Sequence, residues 1–225
     1  MQRRNDRRTL SGLSRRGVLF LLPLTLGACA TGRPEPAPPP AASPFVPRYG
    51  ALTDDGFHVP GVPADEMKDR NRRALVDDPT GQAPGTLVVD PKNRFLYLVQ
   101  ENGKALRYGV GVGREGLEFS GTAEVAHKRA WPRWTPTQNM IAREPEKYRQ
   151  WAGGMAGGET NPLGARALYL FKNGKDTLYR IHGTNEPWSI GEAVSSGCIR
   201  MMNQDVIDLY QRIPDGTKVV VLPAT

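Results

Sequence analysis

Between residues 85 and 130 the sequence is a succession of short apolar segments separated by turn signals. The segments GTLVVD and RFLYLVQ are rich in β-branched and aromatic residues and are joined by Pro-Lys-Asn. A Glu-Asn-Gly-Lys turn then leads to ALRYGVGVG and GTAEVAHKRA. Apolar runs of this length, bounded by turn residues, are typical of strands. We therefore predict an antiparallel or mixed, mainly β domain that begins at Gly85.

A segment of different character, residues 131–164, interrupts the β pattern. It contains three tryptophans and several glycines, and it predicts a short helix from Pro145 to Trp151. The strand-like segments ALYLF and TLYRIHG follow it. We interpret residues 131–164 as an insert between strands of one domain.

The last part of the chain predicts one helix and one strand. Asn203 is a residue type that caps helices, and the predicted helix runs from there to about Arg212. Asp205 lies in its first turn, where a negative charge is favourable beside the positive end of the helix dipole. The segment TKVVVL then predicts a final strand.

The first 28 residues have the layout of an export signal. An arginine-rich start precedes an apolar run from Gly17 to Ala28, which is shorter than the about 20 residues of a membrane-spanning helix. Leu-Gly-Ala-Cys at residues 26–29 resembles a bacterial lipobox, in which Cys29 is lipidated and becomes the new N-terminus. The alternative is an ordinary signal peptide with a chance cysteine. Ser-Arg-Arg at residues 14–16 resembles a twin-arginine signal, so both export routes stay open.

This signal also accounts for most of the positive charge. The formal net charge is +7, and residues 1–28 hold six Arg and one Asp, or +5, so the rest of the chain carries 7 − 5 = +2. A basic charge that lies mostly in an export signal does not indicate nucleic-acid binding. We expect no nucleic-acid partner, and we expect a monomer.

Two further segments precede the β domain. Residues 31–47 hold seven prolines, so residues 29–47 are predicted to form a tether that reaches roughly 50 Å in the polyproline II conformation. Residues 48–84 contain Asp-Gly and Pro-Gly turn signals, and we predict an arm packed on the domain, with a short helix from Pro63 to Val76. Together with Cys29, this organisation predicts a periplasmic protein anchored by lipid to the inner leaflet of the outer membrane.

A histidine and a cysteine form a candidate catalytic pair. His182 ends the segment TLYRIHG, and Cys198 follows sixteen residues later in SSGCIRM. A neighbouring imidazole can lower the pKa of a thiol below about 8.5 and so supply a thiolate nucleophile. We expect about 3–4 Å between the sulfur and a ring nitrogen.

The residues around Cys198 fit an acyl-transfer site. Gly197 lets the backbone bend, so that the amides of Gly197 and Cys198 can point at a developing oxyanion, with Ser195 and Ser196 beside them. In an extended chain Arg200 shares a side with Cys198, and its planar guanidinium suits a substrate carboxylate.

Each of these residues also has a purely structural interpretation. A lone cysteine is often a small buried hydrophobe, and a lone histidine at a strand end is usually structural. Arg200 can instead pair with Asp205 or Asp208. The tryptophans of the insert can pack in the core instead of lining a substrate cleft opposite Trp188; they are Trp131, Trp134 and Trp151.

Together these residues resemble a known signature. Ile-His-Gly-Thr at residues 181–184 and Ser-Ser-Gly-Cys-Ile-Arg-Met at residues 195–201, followed by Asp205, resemble L,D-transpeptidase catalytic domains of the YkuD-like family. The resemblance covers about residues 85–222. Many members read Ser-His-Gly-Cys, and here Ser196 replaces the second histidine. The resemblance implies a mainly β fold, a sandwich or mixed sheet with a short helix beside the catalytic cleft.

The resemblance also implies a reaction. Cys198 would attack the carbonyl of the third residue of a peptidoglycan stem peptide, usually diaminopimelate, and release the terminal D-Ala. The acyl group would pass to an amine of a second stem peptide, giving a 3–3 cross-link, or to an outer-membrane protein. His182 would accept and donate the proton, oriented by a neighbouring backbone carbonyl, that of Gly183. Neither a cofactor nor a metal is implied.

Two other functions stay open. One is a cysteine hydrolase of the same fold, an L,D-carboxypeptidase, and the other is a non-catalytic wall-binding lipoprotein. The intact set of His182, Cys198 and Arg200 argues against the second. A metal site is the weakest alternative, because the chain has only three histidines and they lack ligand-like spacing.

Overall fold

Short strands dominate the computed structural model, which describes residues 49–113, 119–194 and 198–224. The predicted signal and Cys29 lie outside these residues. The strands within them are β1 (Leu52–Asp54), β2 (Phe57–Val59), β3 (Ala74–Asp77), β4 (Leu87–Asp90), β5 (Phe95–Val99), β6 (Lys104–Gly109), β7 (Gly111–Gly113), β8 (Gly121–Ala130), β9 (Arg166–Lys172), β10 (Lys175–His182), β11 (Ala193–Val194), β12 (Ile199–Arg200) and β13 (Lys218–Val221). The α-helices are α1 (Gln138–Arg143), α2 (Pro145–Tyr148) and α3 (Asn203–Arg212).

Eleven of the described strands form one mixed sheet, in the order β11-β7-β12-β10-β9-β8-β13-β4-β5-β6-β3, and β1 and β2 form a separate hairpin. Most neighbours are antiparallel, but β10 with β12, β4 with β13, and β7 with β11 are parallel. The predicted mainly β fold with a mixed sheet is therefore confirmed. The parallel pair β10–β12 brings together two segments of the predicted site that lie far apart in sequence.

The sheet is buried on both faces where β4 and β5 run, because successive side chains of a strand point to opposite faces. Leu87, Leu96 and Leu98 face the main core, which also contains residues of β6 to β10, β12, β13 and α3. Val88 and Tyr97 belong to a second, smaller cluster on the opposite face. All five residues of β5 are buried as a result, which explains why its sequence is apolar throughout instead of alternating.

The predicted helix from Pro63 to Val76 is wrong. The structure has only a 3-10 turn at Asp69–Asn71, and residues 74–77 form β3, which pairs with β6. The local composition is compatible with a helix, but the four residues of β3 instead pair with β6 at the edge of the sheet. The helix at Pro145 is confirmed as α2 followed by a 3-10 turn that ends at Trp151. The strand that was predicted near the C-terminus is β13.

The bounds predicted for α3 are confirmed, but the capping role of Asn203 is wrong. The N-cap is Met202, which makes no side-chain capping bond, and Asn203 is the first helical residue. Its Oδ1 accepts a hydrogen bond from the amide of Ala165 instead (2.9 Å). Asn203 therefore ties α3 to the end of the insert.

None of the helices within the described residues combines the length and apolar character that crossing a membrane would require.

Candidate active site

His182 ends β10 and is almost fully buried, with 4% of its surface exposed. Its Nδ1 lies 2.5 Å from the carbonyl oxygen of Gly183. A carbonyl can only accept, so Nδ1 carries the hydrogen and donates it. In the neutral ring the other nitrogen, Nε2, is then a lone-pair acceptor.

Burial is the main influence on the charge of His182. Burial, together with the nearby guanidiniums of Arg200 and Arg180, lowers the pKa of His182 from 6.5 to about 4, and the hydrogen bond to Gly183 acts in the opposite direction. The imidazole is therefore neutral at neutral pH. A neutral ring with a fixed tautomer is the form that can accept a proton from a thiol.

Cys198 directly precedes β12, the strand next to β10. In the parallel register Ile181 lies beside Ile199 and His182 beside Arg200. The amide of Met201 donates to the carbonyl of His182 (2.8 Å). The two-residue period of a strand, extended from Arg200 back to Cys198, places the thiol on the face of the sheet that also carries His182. Cys198, a half-buried residue, and His182 thus come from two neighbouring segments of the sheet.

On its other side β12 is held by β7. The amide of Gly113 donates to the carbonyl of Cys198 (3.2 Å), and Gly111 pairs with Arg200. A Cβ atom at Gly111 would lie 2.6 Å from the carbonyl oxygen of Ser189. Only a glycine at this position lets the loop that follows His182 approach the strand so closely.

Arg200 forms an ion pair with Glu186, a residue of the loop between His182 and Cys198. Arg200 Nη1 lies 2.6 Å from Glu186 Oε2; the Arg200 side chain is 14% exposed and that of Glu186 is 42% exposed. The two carboxylates suggested as structural partners, Asp205 and Asp208, instead contact Arg73. The guanidinium that was predicted to bind a substrate carboxylate is thus held by a half-exposed carboxylate of the chain itself.

The side chain of Asn203 packs tightly against two glycines, one of which follows His182. A Cβ atom at Gly183 or at Gly164 would lie 2.2 Å from Asn203 Oδ1. Gly183 supplies the carbonyl that orients His182, and Gly164 ends the insert. The start of α3, the end of the insert and the end of β10 therefore meet at one tightly packed point at Gly183, the residue that follows His182.

Comparison with known proteins identifies the domain that carries this site. The family model of the L,D-transpeptidase catalytic domain, YkuD, matches residues 84–221. The chain belongs to the L,D-transpeptidase catalytic domain family.

Among curated relatives, YbiS of Escherichia coli, described as a probable L,D-transpeptidase, is 33% identical over 60% of this chain and 43% of its own length. YcfS of Escherichia coli, with the same description, is 31% identical over 81% of this chain and 52% of its own. The chain thus spans about half the length of these relatives.

A crystal structure from Brucella melitensis, described as a probable carnitine operon oxidoreductase, shares 56% sequence identity and covers 67% of this chain and 93% of that one, with a TM-score of 0.48. That description concerns the Brucella protein.

The tryptophans of the insert differ in their surroundings within this L,D-transpeptidase domain. Trp131 stacks on Phe57 (4.3 Å between ring centroids) and donates from Nε1 to Asp54 (2.9 Å), so it packs against the β1–β2 hairpin. For Trp131 the structural interpretation is therefore correct. Trp134 meets Tyr148 edge to face at 6.0 Å within the insert.

The insert nevertheless faces the loop that carries Glu186. Asn185 donates to the carbonyl of Thr160 (3.1 Å). The pKa of Lys147 is raised mainly by a hydrogen bond to Tyr148, and in smaller measure by the negative charges of Glu144 and Glu186. Trp188, in the 3-10 turn after Glu186, is 57% exposed.

Several predicted site residues lie outside the described part of the chain, and their roles stay predictions. They are Ser195, Ser196, Gly197 and Cys29. Within the described part, no three His, Cys, Asp or Glu side chains are grouped so that they could hold a metal ion. Glu186 was missed from the sequence, although it is one of only two carboxylates between His182 and Cys198.

Proposed function

We propose that this chain is a cysteine-dependent L,D-transpeptidase that acts on peptidoglycan stem peptides. The observation that supports the proposal is the parallel pairing of β10 with β12, which sets Arg200 beside His182 two residues after Cys198 of the family signature, together with a buried, neutral His182 whose Nδ1 is bonded to Gly183. Nε2 is left as the proton acceptor. Family membership supports an enzyme, and the site supplies the groups for acyl transfer.

In the acylation step the Cys198 thiol gives its proton to His182 Nε2 as the sulfur attacks the carbonyl carbon of the third stem residue, usually diaminopimelate. An imidazole with a pKa of about 4 would take a proton from an ordinary thiol of pKa about 8.5 only at a cost of ~6 kcal/mol. The resting imidazole is therefore neutral, and we assign the transfer of the proton to the same step in which the carbon–sulfur bond forms.

The tetrahedral intermediate collapses when the imidazolium returns that proton to the departing nitrogen of D-Ala. A thioester between Cys198 and the donor remains. An amine then attacks the thioester, His182 removes one proton from the nitrogen, and the thiolate leaves and is reprotonated. With a stem peptide as acceptor the product is a 3–3 cross-link; with an outer-membrane protein it is a wall-linked protein.

We assign Arg200 the role of binding a carboxylate of the donor stem peptide. Its guanidinium is mostly buried and already holds one carboxylate, that of Glu186, at 2.6 Å. A planar guanidinium can hold two carboxylate oxygens side by side, and Glu186 is the more exposed partner. Trp134 is assigned to the acceptor side of the same cleft because its neighbours Tyr148 and Lys147 lie towards Glu186.

We further propose that the chain is exported and anchored by a lipid on Cys29 in the periplasm, at the inner leaflet of the outer membrane. The support is the order of arginine-rich start, apolar run and Leu-Gly-Ala-Cys, followed by the proline-rich segment. A tether of that kind would hold the domain between the membrane and the peptidoglycan layer.

The decisive experiment is incubation of the chain with a purified stem tetrapeptide, followed by mass spectrometry of protein and products. We expect an adduct on Cys198 with loss of D-Ala, and cross-linked dimers of the peptide. Release of free tripeptide alone would favour the hydrolase, and Cys198→Ala should form neither adduct nor product. The absence of any adduct on the wild-type chain, or product formation by Cys198→Ala, would refute the proposed function.

A further inference from the structure

The described part of the arm, residues 49–84, ends where the segment that matches the family model begins, at residue 84, yet it contacts the loop that joins His182 to Cys198. We call the described part of that loop, residues 183–194, the site loop. Lys68 of the arm reaches Glu192 of the site loop (2.5 Å). Both side chains are more than half exposed, so this pair contributes little to stability. The stronger contacts are buried.

Asn71 makes the central buried contact. It ends the 3-10 turn of the arm, is 1% exposed, and donates from Nδ2 to the carbonyl of Ile190 in the site loop (2.9 Å). Two glycines make room for it. A Cβ atom at Gly109 would lie 2.8 Å from Asn71 Cβ, and one at Gly191 would lie 2.6 Å from Asn71 Nδ2.

A cluster of buried apolar side chains also joins the arm to the site loop. Tyr49 and Met67 of the arm form one cluster with Ile190 of the site loop and Met202, which follows the SSGCIRM segment. All four side chains are buried. The arm therefore packs against both ends of the part of the chain that contains Cys198.

A compact, hydrogen-bonded turn connects Ile190 to Glu186. The amide and the hydroxyl of Ser189 both donate to the carbonyl of Glu186 (3.0 and 2.6 Å), and the amide of Ile190 donates to Pro187 (3.1 Å). Arg200 holds the Glu186 end of this turn, and Asn71 holds the Ile190 end. A shift of Ile190 would therefore move the carboxylate that faces Arg200.

The arm itself is fixed to α3 at a second point. The Tyr49 hydroxyl donates to Asp205 (3.1 Å), and the guanidinium of Arg73 lies 3.5 Å from Asp205 and 2.5 Å from Asp208. Asp205 is fully buried and Arg73 is 6% exposed. These anchors tie Tyr49 and Arg73, which lies two residues after Asn71, to α3, and so hold the backbone of Asn71 in place.

We propose that Asn71 is a positioning residue of the active site: through Ile190 it fixes the site loop, and with it Glu186 opposite Arg200. The reaction that it would serve is the acyl transfer of the proposed function. The geometric part, the dependence of the site loop on Asn71, does not rest on that function, and it can be tested on the thiol alone.

The perturbing variants act on the same contact from its two sides. Asn71→Ala removes the donor to Ile190, and Gly191→Ala places a Cβ atom against Asn71 Nδ2 at a residue whose φ is +88°. The matched control is Asp54→Asn, in the same arm. It weakens the bidentate pair between Asp54 and the buried Arg166 (2.6 and 2.8 Å) without contacting the site loop.

Two rates are measured on the full chain, at a temperature at which every variant is folded by circular dichroism. The first is alkylation of Cys198 by iodoacetamide, followed on the peptide that contains Cys198 so that Cys29 does not contribute. The second is adduct formation with the stem tetrapeptide. We expect Asn71→Ala and Gly191→Ala to change the alkylation rate at least fivefold and to slow adduct formation at least tenfold, and Asp54→Asn to stay within twofold of wild type for both.

A double-mutant cycle separates positioning from general destabilisation. Asn71 and Glu186 do not touch, so their effects on adduct formation should multiply unless both act through the site loop. We expect Asn71→Ala to slow adduct formation much less in a Glu186→Gln background. Multiplicative effects, or equal losses in Asn71→Ala and Asp54→Asn, would overturn the proposal. If the wild type forms no adduct, the proposed function fails, and the alkylation rates alone decide the role of Asn71.

Discussion

Replacement of Gly183 by alanine should damage the fold and the site together. The new Cβ atom would lie 2.2 Å from Asn203 Oδ1, 3.1 Å from the Ala165 amide nitrogen and 3.2 Å from Val206 Cγ1. The first distance is far inside contact range, and the three atoms belong to the backbone of Ala165 and to two residues of α3, Asn203 and Val206. Overpacking of this kind costs about 1–3 kcal/mol. Displacement of Asn203 would also break its hydrogen bond with Ala165, worth about 1 kcal/mol.

We therefore expect Gly183→Ala to lower the free energy of unfolding by about 2–4 kcal/mol, measured by urea denaturation. Gly158→Ala is the control, because a Cβ atom there meets nothing within 4 Å; it should change the unfolding free energy by less than about 0.5 kcal/mol. Adduct formation should fall further than stability predicts, since the Gly183 carbonyl holds the tautomer of His182.

The double variant Gly183→Ala/Asn203→Ala tests the cause. If the clash with Asn203 is responsible, the loss of unfolding free energy in the double variant should be smaller than the summed losses of the two single variants. The difference should be at least about 1 kcal/mol, within the range found for residues in contact. A Gly183→Ala protein with the urea midpoint of wild type would show that the packing behind His182 is looser than the distances require. Additive losses would place the cost elsewhere than at Asn203.

Three further predictions concern single groups. Arg200→Lys should keep the fold but slow adduct formation by about 1–3 kcal/mol of activation free energy, because it loses the planar donor pair; a lower melting temperature with an unchanged acylation rate would show instead that the pair with Glu186 is structural. The pKa of His182 falls from 6.5 to about 4 on folding, so its contribution to stability is complete above pH 6.5 and is lost as the pH falls to 4. In urea titrations at several pH values, His182→Gln should therefore lose ~3 kcal/mol less unfolding free energy than wild type between pH 6.5 and pH 4. An equal dependence of the unfolding free energy on pH in both proteins would contradict the burial of a neutral ring. Cys29→Ser should leave the export signal unprocessed or release the protein from membranes, and unchanged processing and fractionation would count against the lipid anchor.

The sequence predicted those parts of the fold that depend on neighbours along the chain. The apolar runs became β4, β5 and β10 because their composition and spacing suit a pleated sheet. His182 was correctly placed at a strand end for the same reason. The predicted helix at Pro63–Val76 failed because β6 offered a long-range pairing to residues 74–77 that no local pattern reveals.

The parts of the site that were missed are all long-range contacts. Asn203 is a residue type that often caps helices. Its side chain instead packs between two glycines that lie 20 or more residues away in the sequence. Asn71 carries no local signal at all. Its burial depends on Gly109 and Gly191, which are remote in sequence and are brought together only by the folded sheet. Glu186 was visible as a carboxylate, but not as the partner of Arg200.

The anchoring of the arm by Arg73 bears on how the protein opens. Removal of Arg73 from Asp205 and Asp208 would leave a fully buried carboxylate without its guanidinium, and breaking a buried pair in this way costs several kcal/mol. A segment at the edge of a domain would ordinarily detach one residue at a time. Here the first steps of detachment gain little chain entropy but would have to expose the cluster of Arg73, Asp205 and Asp208. The arm is therefore expected to detach from the domain in one cooperative step. The cooperative unit of this protein therefore begins well before the residue at which its family pattern becomes visible.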